Sequence, residues 1–244
     1  MKLRNTTKAK LLLHHLYEDL EENPLVSSVF KNYYSSICNP KKTQRVVLKS
    51  DICKGHVILC ITESLDSGIE GSLINRLAIR ELNTCIKSGV VSTEQIMRKI
   101  VKTFKNFHVS YGERIDCKLL ILSYDIKEKT MEINTSGIPF TNLKNGGLTA
   151  YPTDYEKKIS SDQYVENTDL YHFSPAEGDK FFLHTEGFLK KVRGVQSIKD
   201  DHEQLQKIGK SMSTMSFEDY VREINYAKKN NTNEDSFGMV TLFF

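Results

Sequence analysis

No stretch of this chain approaches the ~20 apolar residues that a helix needs to cross a bilayer. The apolar run Leu11–Leu13 is too short for the core of a signal peptide, and histidines and acids follow it. The sequence therefore reads as a cytoplasmic protein with no membrane partner. An excess of charge of one sign is missing as well. Lys and Arg number 34 against 31 Asp and Glu, a formal net charge of +3. That balance gives no argument for nucleic acid, and no arginine-rich stripe interleaved with aromatics supplies one locally. Cysteines stand at 38, 53, 60, 85 and 117, an odd number with no Cys-x-x-Cys, which argues for reduced thiols. There is no P-loop, no Rossmann glycine pattern, no Cys-x5-Arg loop and no internal repeat.

What is present is 244 residues of ordinary globular composition, 39% hydrophobic and 27% charged. That length suits one large domain with a short extension and a core that needs no staples. Residues 6–22 read as a helix with Leu11, Leu12, Leu16 and Leu20 near one face. Pro24 ends it. Leu25 to Ile37 reads as a second helical stretch carrying Val29, Phe30, Tyr33 and Tyr34. Residues 1–43 are thus expected to form an N-terminal helical extension. It could join the domain to a partner, pair two copies into a homodimer, or simply cover the core.

From Gln44 the pattern changes to alternation. "RVVLKSDI" and "HVILCITE" read as paired strands around a Lys54-Gly55 turn. A helix from Gly68 to about Ser88 should bury Ile69, Leu73, Ile74, Leu77 and Leu82, with Gly89 stopping it. Ser92-x-x-Gln95 matches a capping box and opens a helix to about Phe107. Strands follow at 117–126 and 131–135 around a "KEK" turn, with another near 148–151 and more in "YHF" and "KFFLHTE". Helices are expected at 199–211 and 216–229, then a last strand from Met239 to Phe244. Segregated strands and helix pairs fit two antiparallel sheets covered by helices, an α+β architecture, better than a doubly wound parallel sheet.

Two segments carry chemistry. Gly55 to Arg76, "GHVILCITESLDSGIEGSLINR", is an apolar strand ending in Glu63, then a glycine opening a helix. Gly178 to Gly187, "GDKFFLHTEG", is Gly-Asp, an apolar strand, then Thr-acid-Gly. With the terminal "SFGMVTLFF", they resemble the SpoIIE/RsbU branch of the metal-dependent (PPM-type) protein serine/threonine phosphatases. The resemblance covers residues 44–244 and implies an α-β-β-α sandwich. Ser136-Gly137-Ile138-Pro139 is similar to that family's Ala-Gly-His-Pro turn.

In the family, two Mn²⁺ or Mg²⁺ ions held by carboxylates activate a bridging water. The resemblance implies that Glu63 and Glu186 are the metal ligands, each a glutamate where the family has aspartate. It predicts that both carboxylates converge at one end of the sandwich. Gly68, Thr185 and Gly187 match the structural residues around them, and Gly71 and Ser72 replace two small alanines. Asp51 resembles an early family aspartate, and Asp66 and Asp235 could substitute as ligands, with Glu234 beside the last. Asp179 matches an aspartate better suited to shaping a turn. His184 reads more readily as a buried histidine than as a ligand. Gly238 and Met239 stand where the family has Asp-Asp, so one ligand position has lost its acid.

Two functions are open at this point. One is a degenerate phosphatase domain that binds a phosphoprotein or an anti-sigma-antagonist-like regulator, with weak or no hydrolysis. The other is an active Mn²⁺- or Mg²⁺-dependent phosphatase using the adapted glutamates.

Overall fold

A computed structural model of the chain describes residues 23–39, 45–66, 69–112, 114–144, 147–151, 156–161, 168–185, 187–188, 215–229 and 236–244. Its strands form two antiparallel sheets. The first is five-stranded, in the order β1 (Asn32–Cys38), β11 (Phe237–Phe243), β10 (Lys180–His184), β6 (Phe140–Lys144), β7 (Gly147–Tyr151). The second runs β2 (Val46–Cys53), β3 (His56–Ser64), β4 (Asp116–Asp125), β5 (Thr130–Ser136), β9 (Asp169–Phe173), with β8 (Ile159–Ser160) paired to the start of β4.

Strand periodicity sorts the side chains into three layers. Val47, Ile58, Cys60, Leu119 and Ile121 leave the second sheet on one face to meet α1 (Ile69–Lys87) and α2 (Thr93–Tyr111). Val46, Leu48, Leu59, Ile61, Leu120 and Leu122 leave on the other and meet Phe140, Phe181, Leu183, Val240 and Leu242 of the first sheet. The outer face of the first sheet buries Phe182, Phe237, Met239 and Phe243, with Phe217 of α3 (Phe217–Lys229) packed against them. The α-β-β-α sandwich expected from the sequence is the fold found. Away from Glu63, rings of Phe30, Tyr124, Phe244, Phe181 and Phe173 touch in series at centroid separations of 5.1–5.7 Å.

Local punctuation follows the sequence signals. Lys54 and Gly55 both take positive φ, the geometry a two-residue hairpin demands. Gly89 also has positive φ, and the amides of Gly89 and Val90 reach back to the carbonyls of Ile86 and Cys85. Ser92 Oγ accepts from the Gln95 amide at the head of α2. That helix runs four residues beyond the expected Phe107, to Tyr111, where Gly112 in the left-handed conformation caps it.

One element is corrected. Leu25 to Ile37 is not a helix: a 3-10 turn, Pro24–Ser28, leads into β1. β1 pairs with β11 over seven residues, from Asn32 opposite Phe243 to Cys38 opposite Phe237. The apolar residues Val29, Phe30, Tyr33 and Tyr34 suit either periodicity, and the unpaired edge of β11 decides between them. Residues 24–38 are therefore part of the sandwich. The expected helices at 6–22 and 199–211 lie outside the described residues.

Candidate functional site

The site is built from the strand end that carries Glu63. Glu63 lies opposite Val46 on β2 and Lys118 on β4, so these three side chains share the sheet face that looks into the sandwich. Glu63 is buried there. Its strand end is fixed from behind. Asn75 of α1, fully buried, accepts from Thr62 Oγ1 at 2.8 Å and donates to the Arg45 carbonyl at 2.8 Å. Arg45 Nε donates to the Ser64 carbonyl at 3.1 Å, and the Ser64 amide returns a bond to the Arg45 carbonyl. After Ser64 the chain bends. Ser64 Oγ accepts from the Asp66 amide and donates to the Asp66 carbonyl. A Cβ at Gly71 would lie 2.3 Å from that carbonyl, so α1 approaches the bend as closely as only glycine allows.

The opposite wall is the end of β10 and the beginning of β11. The Thr185 amide donates to the Gly238 carbonyl at 2.9 Å, and the Gly238 amide donates to Thr185 Oγ1 at 3.1 Å. A Cβ at Gly187 would meet the Ser236 carbonyl at 2.5 Å. The Thr-x-Gly corner is thus locked against Ser236–Gly238 by one hydroxyl and one missing side chain. Gly238 in turn faces Val46: a Cβ built on it would lie 2.6 Å from Val46 Cγ1. Val46 therefore bridges the walls, beside Glu63 in its own sheet and against Gly238 in the other.

The predicted residues distribute as follows. Glu63, Thr185, Gly187 and Gly238 come together at one corner. Asp66 is exposed in the bend beside it. Asp51 does not join them. It lies opposite Ile58, five residues along β3 from Glu63, or roughly 16 Å at strand spacing. It accepts instead from Asn23 Nδ2 and the Ile52 amide. Asp179 shapes the turn into β10, accepting from the Ala176 amide at 3.0 Å. His184 faces the outer layer, its ring 5.9 Å from that of Phe188. It is buried, and burial drives its pKa down to about 4, outweighing backbone interactions at Thr185 and His184 that raise it. Gly68, Glu186, Glu234 and Asp235, and with Glu186 the predicted convergence on Glu63, lie outside the described residues.

Three neighbours of the corner were not singled out in the sequence. Lys118 is visible only through strand register, and Val46 only through the meeting of the sheets. The third is Asp116, whose carbonyl accepts from the Leu65 amide just beyond Glu63. Burial pushes its pKa up. Bonds from Lys158 (2.7 Å), Ser160 and Arg114 (3.2 Å) outweigh that and hold it below the usual carboxylate range.

Mn²⁺ and Mg²⁺ demand several oxygen ligands. Among the described residues no group of three His, Cys, Asp or Glu is placed to hold a metal. The described part of the corner supplies Glu63 and an exposed Asp66, offers none at 238 or 239, and places Lys118 in the same row. Among the described residues these two carboxylates are fewer than two such ions require. A cavity of about 560 Å³ lies elsewhere, at the far end of β4, lined by His56, Ser123, Asp125, Glu132 and His172 among others.

No family model matches the sequence, and none of the curated proteins does. Solved structures do match. The SiaA-PP2C domain of Pseudomonas aeruginosa superposes with a TM-score of 0.72 at 11% identity, over 97% of this chain and 94% of that one. RsbX, solved in complex with magnesium, gives 0.61 at 15% identity over 87% and 94%. The RsbU and RsbW domains of a Mycobacterium tuberculosis protein give 0.66 at 11% identity over 86% and 59%. The chain has the fold of the PPM, or PP2C, phosphatase domains. Among the described residues no helix is long and apolar enough to cross a membrane.

Proposed function

We propose that this is a degenerate PPM-type phosphatase domain. It serves as a signalling or partner-switching regulator, binding a phosphoprotein or anti-sigma-antagonist-like partner with weak or no hydrolysis. One observation carries the reading. The framework of the site is kept, in Thr185, Gly187 and the bend after Glu63, while position 238 offers a hydrogen atom where the family offers a carboxylate. Two dications side by side repel strongly and need several carboxylates to offset that. A corner with fewer acids and a neighbouring lysine loses the second metal first, and with it the activated water. The similarity to an RsbU domain solved together with an RsbW domain supports a protein partner. The buried Glu63 is what favours the competing reading of an active phosphatase.

The test is Mn²⁺ titration by calorimetry, then turnover of p-nitrophenyl phosphate and of a phosphoserine peptide. Weak binding of at most one ion, with no metal-dependent turnover, is the expected outcome. Robust Mn²⁺-dependent turnover abolished by Glu63→Ala would establish the enzyme instead.

A further inference from the structure

Opposite Gly238, which has no side chain, the facing sheet presents Val46. Val46 is 1% exposed and belongs to the core between the sheets. Its Cγ1 stands 2.6 Å from where a Cβ at 238 would be, closer than real Cβ contacts come, whereas its own Cβ would stand at 3.9 Å, an ordinary contact. A valine in a strand is stiff at χ1, so the methyl cannot easily swing aside. Gly238 lies on the inner strand of its sheet, between β1 and β10, with its amide and carbonyl both tied to Thr185. Neither partner of the close approach is free to retreat.

We propose that Val46 is the residue that excludes a metal ligand from this site: Val46 and Gly238 form an interlocking pair between the sheets, and a carboxylate returns to position 238 only if both are changed. Building on the degenerate reading, this names the determinant of the lost chemistry. A change at 238 alone is blocked by volume before any question of charge arises. Lys118, one strand beyond Glu63 on the same face, adds a positive charge that works against a dication there.

The experiment is a double-mutant cycle on the whole chain, with thermal melting and Mn²⁺ calorimetry as readouts. Gly238→Ala tests volume without charge. Because alanine suits a strand better than glycine, it would raise the Tm if the space were open. The expected result is a lowered Tm for Gly238→Ala and a greater loss for Gly238→Asp. Val46→Ala should restore part of each loss. Val46→Ala with Gly238→Asp should bind Mn²⁺ at least tenfold more tightly than the unmodified chain or either single variant. An unchanged Tm in Gly238→Ala, no rescue by Val46→Ala, or rescue without a gain in Mn²⁺ affinity would overturn the proposal. Mn²⁺-dependent turnover by the unmodified chain would defeat the degenerate reading separately, leaving the cycle to judge the interlock.

Discussion

Single side chains set the stability of the corner, and two of them make measurable demands. Asn75 bridges Thr62 and the Arg45 carbonyl with no access to water. Replacing it by alanine strips the buried Thr62 hydroxyl of this acceptor and leaves the Arg45 carbonyl with the Ser64 amide alone, at a cost of about 1–3 kcal/mol. Urea denaturation of Asn75→Ala should show that loss as a lower midpoint with little change in slope. His184 makes a pH-dependent demand. Burial holds it neutral in the folded chain until the pH falls to about 4, whereas the unfolded chain takes up the proton near 6.5. Between those values the unfolded state binds more protons, so stability falls as the pH falls. The loss is at most roughly 3 kcal/mol at about 1.4 kcal/mol per pH unit. His184→Leu should flatten the Tm between pH 6.5 and 4, relative to the unmodified chain. An equally steep decline in that variant would place the sensitivity elsewhere, though not at Asp116, whose depressed pKa costs stability mainly below the unfolded carboxylate value of 3.8.

Elements hold one another through a few polar latches. Glu132 of β5 accepts from both the amide and the hydroxyl of Thr93, the first residue of α2, and so places a negative charge at that helix N-terminus. Glu132→Ala should cost about 1–3 kcal/mol and raise amide exchange selectively in the first turn of α2. Gly187→Ala should be worse than its size suggests, because the new methyl meets a backbone carbonyl that cannot move away. Elements were also where the sequence was most readable. The hairpin at Lys54-Gly55, the stop at Gly89 and the cap at Ser92 are chemical signals local to a few residues. β1 was not readable, because its strand character comes from an edge of β11 roughly two hundred residues away. The site divides in the same way. Glu63 and the Thr185–Gly187 corner show as motifs. Val46 is an ordinary strand valine until the second sheet arrives opposite it, and Lys118 an ordinary lysine until register places it beside Glu63.

For the molecule as a whole, residues 24–38 are the informative segment. A chain lacking residues 1–43 would expose the full edge of β11 and leave the places of Val26 and Phe30 in the core between the sheets unfilled. Such a truncation should aggregate or melt far below the intact chain in a thermal scan. A soluble product with an unchanged Tm would mean that β1 is dispensable.

The same pairing orders events during synthesis. β11 is the strand that joins β1 to β10, so the first sheet has no centre until residues 237–243 have been made. The second sheet and its two helices are complete by Phe173, and they can condense earlier, around contacts close in sequence. Until β11 arrives, the apolar face of Leu48, Leu59, Ile61, Leu120 and Leu122 lacks the part of its cover that Val240 and Leu242 supply. A nascent chain paused before β11 is therefore a natural client for a chaperone.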